Sequence, residues 1–275
     1  MKKLYPLLAF LLVAAIAALY GLDHYREVQE KQREQTAHLL SRCVNQGLLS
    51  LFRLQANDWQ ERPEYYRRQA EKLEASIGQL PQQLLDGEPF VEWQSATEIC
   101  DKLTRHSNLQ HKTIFRPLGR FASAEMRDSR TFKSRGSLRR RLRTVNRLNV
   151  AAQAADRYLD DLRMDIHNQL EDSDLSGESR RRALAEIDSE VLDYYRDGNF
   201  SRKRVDAYLQ RVERYFKLLA ENPESYSLRG GSLFFHDRDL RREIDRLNNA
   251  IIQGEADFFG SWTQIVQRQQ RKVQK

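Results

Sequence analysis

The chain has 275 residues, a net charge of +7 and a mean hydropathy of −0.74, and charged residues make up 31% of it. Only 12 glycines and 6 prolines occur, whereas Arg, Glu, Leu, Gln and Ala are abundant. This composition favours helices and argues against a strand-rich sandwich or barrel. No segment is low in complexity, which argues against long disorder. We therefore expect an all-α protein.

An apolar run without any charged residue covers Leu4–Leu22. Its nineteen residues would form a helix of roughly 28 Å, close to the hydrocarbon thickness of about 30 Å of a bilayer. Lys2 and Lys3 precede the run, so the positive-inside rule places the N-terminus in the cytoplasm. We expect residues 1–22 to be an uncleaved transmembrane anchor. The alternative is a cleaved signal peptide, because the small residues at Ala15–Ala17 resemble a cleavage site.

These features predict a single-pass protein of the bacterial inner membrane, with a cytoplasmic N-terminus and a periplasmic body. A bacterial host is an assumption of this prediction. The body divides into a helical stalk with short helices (23–111), a basic irregular linker (112–136) and a helical bundle (137–275). Single-pass anchoring would hold the helical body at the outer face of the membrane.

The two cysteines, Cys43 and Cys100, predict one disulfide bond, since an exported protein folds in an oxidising compartment. Such a bridge would connect the helix that follows the membrane to the segment after Trp93. The alternative is a pair of unbonded buried thiols, because the sequence alone does not give the distance between them.

In the first half of the body, only some segments show the apolar periodicity that is typical of a packed helix. Residues 23–37 carry few apolar side chains and no helix breaker, which is typical of a polar helical stalk. An apolar face follows over Leu39–Leu54, and a second helix is expected over Pro63–Leu85. Residues 112–136 contain one proline and two glycines and show no lasting period, so we expect a loop with one short helix there.

From Ser137 onward, apolar residues recur every three or four positions, with coiled-coil-like spacing. The stripes run over residues 137–170, 183–194, 205–219 and 240–265. Short turns join them, so we expect an elongated antiparallel bundle. Glu224–Asp237 fits no helical stripe, and it is either a short hairpin or an ordered loop over one end of the bundle.

The basic segment Lys112–Arg147 holds twelve Lys or Arg residues against two carboxylates. Its net charge is +10, so the rest of the chain sums to −3. The simplest interpretation is a solvated face; the functional one is a site for an anionic partner, either an acidic protein surface, anionic lipid or an envelope polymer. Nucleic acid is a poor candidate in an exported compartment. The candidate anion-binding residues are Arg116, Arg120, Arg127, Arg130, Lys133, Arg135, Arg139, Arg140, Arg141, Arg143 and Arg147.

Catalysis finds little support in the sequence. The six histidines are scattered, and no metal-binding, phosphate-binding, nucleophile-elbow or C-x-x-C motif occurs. We therefore predict no catalytic residue, cofactor or metal. His236–Asp237 is the best candidate for a small site, although Asp237 is more simply the cap of the last helix. Glu178 and Glu224 could serve a helical glycan-cleaving enzyme only if a cleft raised the pKa of their carboxyl groups.

Two functional hypotheses follow. The first is a non-enzymatic scaffold, tether or folding helper in the cell envelope, anchored in the membrane and bound to a protein partner. The second is a periplasmic ligand-binding sensor domain that works with a partner, because helical bundles on a membrane stalk can bind small molecules between their helices. An envelope hydrolase is a distant third.

Overall fold

A computed structural model describes residues 4–53, 92–198, 200–262 and 265–268, with isolated positions at 68, 71, 72, 75 and 79. The side chains of residues 4–16 and 48–53, and those of residues 111, 197 and 268, lie outside this description. The protein is predominantly helical, which confirms the all-α prediction. The predicted helix over Pro63–Leu85 lies outside the described residues.

The elements follow one another along the chain as helices with a few short strands. The helices are α1 (Leu4–Arg53), α2 (Trp93–Ala122), α3 (Ala124–Arg127), α4 (Arg135–Asp156), α5 (Tyr158–Glu171), α6 (Gly177–Glu190), α7 (Arg202–Glu221) and α8 (Arg238–Trp262). The strands are β1 (Tyr195–Asp197), β2 (Tyr226–Arg229), β3 (Ser232–Phe235) and β4 (Val266–Arg268). β1 pairs antiparallel with β4, and β2 with β3. Single 3₁₀ turns occupy Ser129–Thr131 and Leu192–Tyr194.

The helices form a bundle around one continuous apolar core. α1 packs against α2 and α6, α2 also packs against α4, and α7 packs against both α4 and α8. Leu40 of α1, Ile99 of α2 and Ile187 of α6 are at most 1% exposed, and they lie where these three helices meet. We call this end the α1–α6 half and the other the α7–α8 half. α2 and α4 connect the two halves.

A disulfide bond joins Cys43 of α1 to Cys100 of α2, with 5.9 Å between their Cα atoms. Both residues are 1% exposed, so the bond lies inside the apolar contact between the two helices. The two cysteines therefore lie at the distance of a disulfide bond, as the sequence predicted. The bond holds one fixed point of α1 against α2 within the α1–α6 half.

The segment between α7 and α8 is the β2–β3 hairpin, so the hairpin interpretation is correct. Gly230 and Gly231 form its turn with φ angles of +57° and +83°. Two consecutive left-handed residues are what a type I′ turn requires, and glycine adopts them without strain. The hydroxyl of Tyr226 anchors the hairpin by donating to the backbone oxygens of Phe132, at 3.0 Å, and Leu219, at 3.2 Å.

The basic linker predicted over residues 112–136 is shorter in the structure, because α2 continues to Ala122 through Pro117. Proline in a helix removes one backbone hydrogen bond and strains the preceding turn. Ile114 and Leu118 flank this position and are 1% and 0% exposed. Burial of such side chains contributes about 1.5–3 kcal/mol each, which offsets the unfavourable local preference. Only α3, the Ser129–Thr131 turn and their flanks remain as the connector between α2 and α4.

The helix expected from Ser137 to Leu170 is interrupted at Arg157, whose backbone angles of −110° and 12° leave the helical region. No proline or glycine marks this break in the sequence. The contacts differ on the two sides of the break: α4 packs against α2 and α7, whereas α5 packs against α2 and α6.

α1 extends well beyond the rest of the bundle at its N-terminal side. Every described side chain from Ala17 to Val28 is exposed, and burial begins only at Thr36. Leu19 and Tyr20 are 66% and 79% exposed. Among the residues that the structure describes, no helix is apolar over a length sufficient to cross a membrane, so the predicted transmembrane helix is not confirmed. The side chains of residues 1–16, which make up most of the predicted anchor, lie outside the described part.

Glu92 connects three helices of the α1–α6 half. It precedes the first residue of α2, and its carboxylate accepts hydrogen bonds from the backbone N–H of Ser176, at 2.8 Å, and from the hydroxyl of Thr36, at 3.3 Å. Ser176 is the N-cap of α6, and Thr36 lies on α1. Burial acts to raise the pKa of Glu92, but hydrogen bonds from Ser179, Ser176 and Thr36 outweigh it and hold the pKa below its usual value of 4.5.

The substitution Glu92→Gln is therefore expected to remove an acid-sensitive part of the stability. A carboxyl group whose pKa is lowered by folding stabilises the folded state above its unfolded pKa, and this contribution is lost as the pH falls through the folded pKa. The melting temperature of the variant should be lower than that of the wild type at pH 7, and the difference should shrink below pH 4.5. Glu98→Gln, at an exposed position on α2, is the control. Equal pH profiles for the wild type and Glu92→Gln would contradict this role.

Candidate functional site

Arg141, one of the predicted anion-binding residues, lies inside the protein and is 1% exposed. Its guanidinium donates hydrogen bonds to backbone and hydroxyl oxygens of the connector and of α4. These acceptors are the carbonyls of Glu125, Met126 and Asp128 and the hydroxyls of Thr131 and Ser137. The guanidinium also lies 4.7 Å from the ring centroid of Phe132. Arg141 therefore organises the connector and is not accessible to an external anion, which corrects its place in the predicted set.

Four more residues of the predicted set are held by neighbouring groups. Three of them are exposed arginines in ion pairs: Arg127–Glu255, Arg130–Asp128 and Arg140–Glu125. Lys133 donates to the backbone oxygen of Pro223, and its ammonium lies 4.8 Å from the ring centroid of Tyr226. Ion pairing already compensates these three arginines, so they contribute little to an anion-binding surface.

Four exposed arginines of α4 remain, and they form what we call the arginine ridge: Arg135, Arg139, Arg143 and Arg147. They are spaced four residues apart, which places neighbours on adjacent turns and makes the ridge roughly 18 Å long. None of the four has an ion pair or hydrogen bond among the residues that the structure describes. Arg116 and Arg120, two further members of the predicted set, lie exposed one turn apart near the end of α2.

The arginine ridge is unfavourable for the isolated protein. Like charges four residues apart on a helix repel one another, by a few tenths of a kcal/mol per pair. The first turn of α4 contains no acidic residue, and Arg135 is its first residue, so the helix dipole adds to the positive potential there. An anion at this surface would relieve both effects at once.

A pocket of about 350 Å³ opens in the α7–α8 half. Its walls come from the end of α2, the connector, α7 and α8, and they are mostly aromatic or aliphatic. The lining residues are Phe121, Met126, Arg127, Ser129, Phe132, Tyr208, Val212, Tyr215, Phe216, Asn248, Ile251, Ile252, Glu255 and Phe259. The aromatic rings pack on one another, with centroids 6.2 Å apart for Phe121 and Tyr208 and 5.8 Å apart for Phe132 and Phe216. These ring contacts therefore hold the walls of the pocket in place.

Two phenol groups face this apolar pocket from α7. Among the described residues, the hydroxyls of Tyr208 and Tyr215 have no hydrogen-bond partner. Burial raises the pKa of both side chains, and the nearby carboxylate of Glu255 raises that of Tyr208 further. The pKa of Tyr215 rises to about 12. Both hydroxyls are therefore neutral at physiological pH and can donate a hydrogen bond.

Two further sequence candidates, Asp237 and Glu178, have structural partners. Asp237 accepts hydrogen bonds from the backbone N–H groups of Asp239 and Leu240, so it caps α8 as the simpler interpretation proposed. Glu178 lies in the first turn of α6 and pairs with Arg181. Within the described part of the chain, no three His, Cys, Asp or Glu residues lie close enough to hold a metal ion.

Sequence reasoning missed the pocket, although part of its signal was visible. Tyr208 and Tyr215 lie seven residues apart, two helical turns, which places them on one side of α7. This spacing is equally typical of side chains that fill a core. What distinguishes the pocket is the position of the connector, which the sequence does not reveal.

Comparison of the chain with protein-family models, with curated protein sequences and with solved structures finds no match. The function must therefore be inferred from the geometry of the chain itself.

Proposed function

We propose that the protein is a non-enzymatic adaptor of the cell envelope, held to the membrane by its N-terminal apolar run, that binds an acidic surface of a protein partner. The observation that carries the proposal is the arginine ridge of α4. The core side of α4 is closely packed, with Val145 and Leu148 0% exposed, so the helix is firmly held while its outer side keeps uncompensated charge. A rigid, one-signed surface of this kind suits recognition of an oppositely charged protein.

The start of α1 supports the membrane part of the proposal. Leu19, Tyr20 and Leu22 are more than half exposed, and no other described element covers them. Exposed apolar side chains in a row indicate a partner or a membrane. Between them and the bundle, α1 is polar, so the helix would act as a spacer of roughly 20 Å that holds the arginine ridge away from the bilayer.

The test is a change of charge on the ridge. The triple variant R139Q/R143Q/R147Q should bind the partner about tenfold more weakly than the wild type, because each exposed charge contributes modestly to association. Partners are recovered by cross-linking in intact membranes, and affinity is then measured with the purified partner at two salt concentrations. Binding should also weaken as salt increases, since exposed charges are screened.

A matched control removes the same charge elsewhere. R181Q/R241Q/R242Q takes away three exposed arginines that already pair with carboxylates of their own helices. This control should bind like the wild type. Binding to phosphatidylglycerol vesicles that the ridge variant loses would assign the ridge to lipid instead, and recovery of no partner would contradict the adaptor role.

A further inference from the structure

We propose that the pocket between α7, α8 and the connector is a binding site for a neutral, flat aromatic molecule that carries a hydrogen-bond acceptor. This site is independent of the arginine ridge and of the adaptor role. Its volume of about 350 Å³ falls in the range of about 300–1,000 Å³ that small-molecule sites occupy. Apolar walls with a few well-placed polar groups are typical of such sites.

The walls favour a flat apolar ligand. Phe121, Tyr208 and Phe259 come from three different helices, and their rings pack at 6.2 and 6.4 Å between centroids from Phe121. Tyr208 is itself stacked on Phe258, with 4.2 Å between centroids and 20° between the ring planes. These contacts fix the rings before any ligand enters. Rings fixed in this way lose little freedom on binding and can stack on an aromatic ligand.

The polar groups of the pocket favour a ligand that carries a hydrogen-bond acceptor. The hydroxyls of Tyr208 and Tyr215 are donors without a partner among the described residues. A ligand oxygen, such as that of a ketone or an amide, can accept from them, whereas a ligand without an acceptor would cover these donors and leave them unsatisfied. Arg127 and Glu255, which also line the pocket, form an ion pair with each other. Their charges compensate each other, so the site does not require a charged ligand.

The probe for the test is prodan, a naphthalene ketone whose fluorescence shifts to the blue and strengthens in apolar surroundings. The full chain in one fixed detergent is titrated with prodan, and the wild type is expected to give a saturable signal. Ile252→Trp should remove that signal, because Ile252 is 62% exposed at the mouth of the pocket and a larger side chain there blocks entry. Val150→Trp, at a position on α4 that is 55% exposed, should leave the signal unchanged.

The phenols are tested one at a time. Tyr208→Phe and Tyr215→Phe keep the ring and remove the donor, so each should weaken prodan binding about fivefold, the effect of one hydrogen bond. Neither should lower the melting temperature, since neither hydroxyl has a partner to lose in the described structure. Tyr226→Phe is the stability control: its hydroxyl is hydrogen-bonded to the backbone oxygens of Phe132 and Leu219, so the melting temperature of this variant should fall.

Two results would overturn the proposal. The first is a prodan signal that the wild type and Ile252→Trp share, since the dye would then bind elsewhere or only in the detergent. The second is equal affinity of the wild type and both phenylalanine variants, which would show that the phenols do not recognise the acceptor.

Discussion

Replacing Arg141 by alanine is expected to destabilise the protein by about 4 kcal/mol, the cost of disrupting a buried charged network. The side chain donates to five oxygens, three of them backbone carbonyls of the connector. Without the guanidinium, the carbonyls of Glu125 and Met126 lose the hydrogen bonds that Arg141 donates, whereas the carbonyl of Asp128 keeps those from Thr131. Burial lowers the pKa of Arg141, although the carboxylates of Glu125 and Asp128 oppose this effect, and an arginine so placed stays charged.

Chemical denaturation measures this effect, and neighbouring positions give the controls. Arg139→Ala removes an exposed arginine two residues away and should change the free energy of unfolding by less than about 0.5 kcal/mol. Arg141→Lys should recover little of the loss, because an ammonium cannot reproduce the planar fork of donors. A loss for Arg141→Ala no larger than that for Arg139→Ala would contradict the role assigned to this network.

The same substitution should also weaken prodan binding. The connector that Arg141 holds carries Met126, Ser129 and Phe132 into the wall of the pocket. If the connector moves, the pocket loses one wall. Binding measured at a temperature where Arg141→Ala is still folded separates this local effect from global unfolding.

Breaking the Cys43–Cys100 bond should also cost about 4 kcal/mol in the loop-entropy model, because the bond closes a long loop with a sequence separation of 57 residues. The C43S/C100S variant and the reduced wild type should therefore melt at a temperature roughly 10 °C lower than the oxidised protein. The loss of local stability should be largest in the α1–α6 half, where the bond holds α1 against α2.

The reductant itself needs a control. Dithiothreitol should lower the melting temperature of the wild type and leave that of C43S/C100S unchanged. Hydrogen exchange then shows where stability is lost, and faster exchange in α1 than in α7 is expected after reduction. Equal melting temperatures for the oxidised and reduced wild type would exclude a stabilising role for the bond.

Helical periodicity and residue type were sufficient for several features. The stripes that became α6, α7 and α8 were visible because each helix buries one side against a single core. The disulfide followed from the count of cysteines and from the expectation that the chain is exported. Asp237 was recognised as a cap because a carboxylate before an apolar stripe satisfies the first N–H groups of a helix.

Other features depended on contacts between distant segments. Pro117 marked a helix end locally, yet Ile114 and Leu118 bury so much apolar surface against the core that α2 continues through it. The break at Arg157 has no local signal, and it follows the packing of α5 on α2 and α6. In both places tertiary packing outweighs a local preference, which is typically worth only a few kcal/mol.

The basic segment shows most clearly which features the sequence predicts and which depend on tertiary contacts. Its sequence determined that twelve cations lie within a short stretch and that two carboxylates cannot neutralise them. Only the tertiary structure decided that Arg141 is internal, that Arg127 and Arg140 are paired, and that Arg139 and Arg143 face outward. An arginine is charged because of its own chemistry, whereas the groups of other segments that surround it decide whether it is buried, ion-paired or exposed to a partner.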